Sequence, residues 1–203
     1  MLREPTSVDS RASLPIGRYL TLGDLCSCTS TYQRFAQEIQ PFPLAPESLD
    51  ALEQLAAAIL DPILGHFGRE RFQLTYGFCS HDLRRHLERR NPETGKPFGR
   101  ICPEVDQHMA RELGARSGKP VCAHGGAAVD FRIRDLSSRD LVSWMLERAL
   151  PFDSLYYYGP DRPVHVSHGP SHRRAVWAFN ESNTPTTRGI EDWVRRAREL
   201  KPR

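Results

Sequence analysis

VCAHGGAAVDFRI, Val121 to Ile133, sets one histidine and one aspartate on either side of a run of the smallest side chains. From Ala127 the stretch reads as a strand, AAVDFRI, which carries Asp130. Gly125, Gly126, Ala127 and Ala128 would let the backbone pass close to a metal or a substrate. The stretch is thus either a tight structural turn or half of a metal site with thin walls. A catalytic zinc takes three ligands from His, Asp or Glu and keeps one position open. His124, Asp130 and His165 of the later segment PVHVSH form one such set on neighbouring strands of one sheet.

Working outward, the strongest periodic element lies upstream. Leu49, Leu52, Leu55, Ile59, Ile63 and Phe67 recur at spacings of three and four, the pattern of an amphipathic helix. Ser48 is its expected N-cap, Pro62 should kink it or start a new turn, and Gly68 ends it. FQLTYGF alternates like a short strand. From Ser80 to Lys119 the chain is polar and basic, an insertion with a helix expected on each side, the second being PEVDQHMARELG. This stretch is either a solvated insertion or a basic rim that attracts an anionic substrate. Downstream, SSRDLVSWMLERAL reads as a capped helix. PFDSLYYYG, PVHVSH and RRAVWAF read as strands, the first two joined by the turn GPDRP. Residues 1–18 should form a loose arm, 19–179 the main domain, and 180–203 a polar linker with a terminal helix anchored by Trp193. The expected class is α+β, with helices packed on a small, mainly antiparallel sheet.

The order of these blocks resembles the D-Ala-D-Ala carboxypeptidase and Hedgehog-type zinc peptidase superfamily. The blocks are PESLDALEQLAAAILDPILGHFG, LTYGFCS, HGGAAVDF, FDSLYYY and VHVS, within about Tyr19 to Arg174. In that family a helix precedes a strand reading S-G-Y-R-S. Then come S-x-H-x-x-G-x-A-x-D, with two zinc ligands, and F-D-x-L, an acidic residue and H-V-S, with the third. The resemblance implies a Hedgehog/D-Ala-D-Ala-peptidase-like fold, bound zinc, and a peptide or other small anionic substrate. It implies His124, Asp130 and His165 as metal ligands.

The departures from the pattern fall at the site. His124 and Asp130 are six apart where the family has seven, so Gly126, Ala128 and Asp130 hold the register and His124 stands one place out. The arginine that holds the substrate carboxylate falls on Cys79. The catalytic carboxylate falls near Tyr158, which leaves Asp161 as the local acid, and a nearby position used by some members holds Arg162. A general base must take a proton from the attacking water and deliver it to the leaving amine. The catalytic candidates are therefore Asp161, Tyr158, which could hydrogen-bond a ligand, and Cys79, a conceivable nucleophile if His124 activates it. Inert buried thiols are the commoner reading of both Cys79 and Cys122, and Cys122 could instead be a replacement metal ligand. Arg84, Arg85 and Ser167 are the candidates for substrate binding. His165, His168 and His172 read as a polar loop before a basic turn rather than as a second metal site.

Bulk properties narrow the alternatives. The formal charge is +3 over 203 residues, mildly basic, which suits an acidic ligand and leaves nucleic acid open as a partner. No run approaches transmembrane length, so no membrane partner is expected. Five cysteines at irregular spacing read as reduced thiols in a bacterial cytoplasmic protein. Two functions follow. One is a zinc-dependent peptidase or amidase with an altered active site. The other is a catalytically inactive peptidase-like module that binds a peptide, a protein or a nucleic acid, with the terminal helix as a possible protein contact.

Overall fold

Leu52, Leu55, Ile59 and Ile63 are fully buried, as their helical spacing requires. The computed structural model describes residues 10–99, 102–180, 182 and 184–188. A 3-10 turn at Ser10–Ser13 leads into strands β1 (Pro15–Ile16) and β2 (Leu20–Thr21), which pair antiparallel. Helices α1 (Leu22–Cys26) and α2 (Ser30–Phe35) follow, then α3 (Pro46–Leu55). Residues 10–18 differ from the expected loose arm, because the side chain of Ile16 is completely enclosed by the main core.

The long helix starts earlier than its expected cap. Its N-cap is Ala45, and Ser48 lies inside the helix with its hydroxyl donating to Glu112 at 2.9 Å. The same Glu112 oxygen accepts from the backbone N–H groups of Leu44 and Ala45 at 3.1 and 3.0 Å. A buried carboxylate more than sixty positions away thus does what a local cap does elsewhere. Before Pro62 the helix widens into a π-helical turn, Ala56–Leu60, and resumes as α4 (Asp61–Phe67). Proline has no N–H to donate, and the π turn accommodates it without ending the helix.

The remaining elements are β3 (Phe72–Tyr76), α5 (His81–Glu88), β4 (Ala127–Ile133), α6 (Ser138–Glu147), β5 (Ser154–Tyr157), β6 (Val164–His168), β7 (Ala175–Phe179) and β8 (Pro185–Arg188). Strands β3 to β8 make one six-stranded sheet in the order β3-β4-β6-β5-β7-β8. It is mixed: β5 and β7 run parallel, and every other pair is antiparallel. Val129, Phe131, Ile133, Val166, Leu155 and Val176 fill the main core together with the buried face of α3 and α4. The α+β class is therefore as the residue patterns indicate.

Two other expectations change. PEVDQHMARELG is a series of turns rather than a helix, with left-handed backbone at Gln107 (φ 60°) and Ala110 (φ 48°). Residues 185–188, expected as linker, form the edge strand β8 against β7. The terminal helix expected around Trp193 lies outside the described residues.

Candidate metal centre

Strand alternation sends Val129, Phe131 and Ile133 to the core and Asp130 to the opposite face. Register then sets its neighbours. Tyr76 of β3 pairs with Asp130, Asp130 with His165 of β6, His165 with Tyr156 of β5, and Tyr156 with Trp177 of β7. These five residues form one row across the sheet, and all five line a cavity of about 660 Å³.

The third ligand-type residue is His108, from the turns of the insertion. His108, Asp130 and His165 each present a donor atom within 4.8 Å of the others, in an arrangement able to hold a metal ion. His165 Nδ1 lies 2.8 Å and His108 Nε2 lies 3.3 Å from Asp130 Oδ1. Both histidines are buried, while the Asp130 side chain is 28 % exposed and opens onto the cavity. Two imidazoles and a carboxylate suit zinc with one position left for a water or a substrate.

Local structure holds His108 from three sides. Its Nδ1 lies 2.9 Å from the carbonyl of Gly77, and its own carbonyl accepts from the N–H of Cys79 at 2.8 Å. Gly77 must be glycine here: a Cβ would stand 2.0 Å from the carbonyl oxygen of Leu25. On the other side the fully buried Gln107 donates to Asp153 Oδ2 at 3.1 Å and to the carbonyl of Gly125. Gln107 thereby closes the base of the excursion from 109 to 125. The chain re-enters the sheet through Gly126 (φ 79°), where a Cβ would meet the His168 carbonyl at 2.0 Å.

The Gly77 contact decides the proton arrangement. A carbonyl only accepts, so Nδ1 of His108 carries a hydrogen and, in the neutral ring, Nε2 presents a lone pair. That lone pair faces a carboxylate oxygen, and two acceptors 3.3 Å apart in a buried site need a cation between them. In the absence of a metal a proton takes that role. Burial works against charging His108, but the Asp130 charge and hydrogen bond, the Asp106 charge and the Gly77 carbonyl outweigh it and raise its pKa. Burial likewise opposes the ionised Asp130, yet His108 and His165 hold its carboxyl well below the usual range.

The other sequence candidates divide clearly. His124, expected as a ligand, is not part of the cluster; its Nε2 lies 3.2 Å from the Arg173 guanidinium. Tyr158 lines the cavity, and burial raises its hydroxyl pKa. Asp161 does not: it is exposed and borders a second, separate depression beside Arg132 and Ser137. Cys79 is fully enclosed beside Leu83, Leu87 and Met109, and burial pushes its thiol up to about 12, so it is a core thiol and no nucleophile. Cys122 is also buried outside the cluster.

Arg84 pairs with Glu88 at 2.9 Å and Glu104 at 3.7 Å, and Arg85 with Asp82 at 3.2 Å. Neither lines the cavity; both are paired with acidic residues of α5 and, for Arg84, with Glu104 of the insertion. Ser167 is buried and bonded to Ser154, hydroxyl to hydroxyl at 2.6 Å, rather than facing a ligand. Among the residues that sequence reasoning passed over, Asp106, the one carboxylate besides Asp130 among the described lining residues, and Trp177 also line it. Asp106 is held by the N–H groups of Cys102 at 3.0 Å and His108 at 3.3 Å. The signal for His108 was present only as an acid-Gln-His run inside a segment that resembled a helix.

No family model, no curated protein and no solved structure matches this chain. Among the described residues, no helix is long and apolar enough to cross a membrane.

Proposed function

We propose that this chain is a zinc-dependent amide hydrolase, a divergent relative of the D-Ala-D-Ala carboxypeptidase and Hedgehog-type peptidases, with His108, Asp130 and His165 as ligands. The observation that carries this reading is the His108 Nε2 lone pair opposed to Asp130 Oδ1 at the floor of an open cavity. The family block then reads as His108, an excursion over 109–125, and Gly126, Ala128 and Asp130 in unbroken register. On this reading the displaced His124 does not have to reach the metal and keeps its contact with Arg173.

Zinc bound there would supply Lewis acidity and a nucleophile at neutral pH. The protein's own part is positional. Gly77 fixes the tautomer of His108, and the stacked ring of Tyr156, 4.5 Å from His165, fixes that imidazole. Asp106, which lines the same cavity, is on this reading the base that would accept a proton from the attacking water and return it to the leaving amine. Each of its oxygens keeps a lone pair after accepting one backbone N–H. Asp106 thus replaces Asp161 as the proposed base.

Metal analysis of protein purified without a metal-affinity tag tests the reading. We expect about one equivalent of zinc by the three-ligand rule, lost in His108→Ala and retained in His124→Ala. Asp106→Asn should keep the metal and lose peptide hydrolysis. A metal-free protein whose stability ignores chelator would refute the proposal. The buried Cys79 at the family's arginine position favours a second reading, an inactive binding module. That reading gains support if metal binds but no amide is cleaved.

A further inference from the structure

One wall of the metal cavity is not accounted for by ligand chemistry. Period-two alternation turns Tyr156 and Tyr158 to one face of the sheet, and Trp177 and Phe179 of β7 to the same face beside them. Tyr156 lies flat on the ligand His165, with ring planes 16° apart. Tyr158 meets Tyr156 edge-on at 6.4 Å, and Phe179 lies 5.6 Å from Tyr156 and 5.0 Å from Tyr158. All four rings are only half-buried. They form a continuous aromatic platform that leads from the metal cluster into the open cavity.

The charges along this platform are sparse. Asp106 and Asp130 sit at the metal end. Arg162, on the turn between β5 and β6, is the one lysine or arginine among the described lining residues, and its side chain makes no ion pair with another described residue. Apart from the metal cluster itself, the described lining residues attract a substrate carboxylate at Arg162 and repel it at the two acids.

Resting on the hydrolase reading, we infer that the cavity takes a peptide chain end bearing an aromatic side chain and a free carboxylate. The ring covers the platform of Tyr156, Tyr158, Trp177 and Phe179, and Arg162 receives the carboxylate. A small side chain such as alanine leaves the platform in water and gains little from it. Offset or edge-on contact with the exposed rings adds to the burial that favours an aromatic side chain. The guanidinium presents paired N–H donors that match a carboxylate in geometry as well as in charge.

Calorimetric titration of the zinc-loaded full chain with four peptides tests this: acetyl-Ala-Ala-Phe and acetyl-Ala-Ala-Ala, each as free acid and as amide. The phenylalanyl acid should bind roughly 10- to 100-fold tighter than the alanyl acid, the range expected for burying one large apolar side chain. Amidation should cost roughly tenfold or more. Phe179→Leu should erase most of the preference for the ring, and Arg162→Gln the preference for the acid. Equal binding of the phenylalanyl and alanyl peptides, or binding of neither, overturns the inference. Ring and acid preference without cleavage upholds the inference and counts against the hydrolase reading.

Discussion

At the residue scale the histidines of this chain do different work according to what faces their ring nitrogens. His108 and His165 converge on one carboxylate oxygen, and His124 makes a surface contact with Arg173. Removing His108 should therefore cut zinc affinity by at least about 100-fold, whereas His124→Ala should leave it within about twofold, as read by competition with a chromogenic chelator. His168 gives the pH dependence. Burial first, and the neighbouring His172 second, hold its pKa below the ordinary histidine value. The unfolded chain then binds the proton more readily than the folded one. Its contribution to stability is full above about pH 6.5 and is lost as pH falls through the depressed folded value. Melting temperatures measured across that window should fall towards acid in the natural chain and fall less in His168→Phe.

At the element scale the decisive feature is the excursion over 109–125, which leaves from His108 and returns through Gly126. Gln107 joins its two ends by donating to the Gly125 carbonyl, and ties them to the sheet by donating to Asp153. Gln107→Met keeps the volume but removes the donor. It should lower zinc affinity by roughly 10- to 100-fold, the cost typical of losing a supporting contact behind a ligand. An unchanged circular dichroism spectrum would separate this from unfolding. Gly126→Ala asks more of the backbone, because the positive φ and the 2.0 Å approach to the His168 carbonyl both oppose a Cβ. Urea denaturation should show a loss of more than about 1 kcal/mol.

At the scale of the whole molecule, one face of the sheet builds the core and the other builds the cavity. Phe131 and Asp130 are adjacent on β4 and serve opposite faces. Phe131→Ala should cost about 3–5 kcal/mol by the usual penalty for emptying a buried aromatic site. Zinc at a hundredfold excess over its dissociation constant should return about 2.7 kcal/mol by mass action, seen as a rise in melting temperature. A destabilised variant that zinc does not rescue would count against zinc binding by the folded chain.

Much of this fold was legible in the sequence because local rules act alone there. Three-and-four spacing gave the helix from Leu49 to Phe67, and alternation gave β4, β5, β6 and β7 with Asp130 and His165 on them. Where a distant partner decides, the local signal misled. Glu112 holds the start of α3, so Ser48 resembled a cap without being one. Positive φ angles break the helical pattern around His108, and nothing local announces them. The sequence by itself therefore determined the α+β class and two of the three metal-ligand candidates, since strand periodicity assigns a side chain to a face. Only the tertiary structure brought His108 rather than His124 to Asp130, and put Asp106 rather than Asp161 on the cavity wall. Where a loop residue lands depends on how the excursion closes against Gly77 and Asp153, and those contacts join parts of the chain that spacing cannot relate.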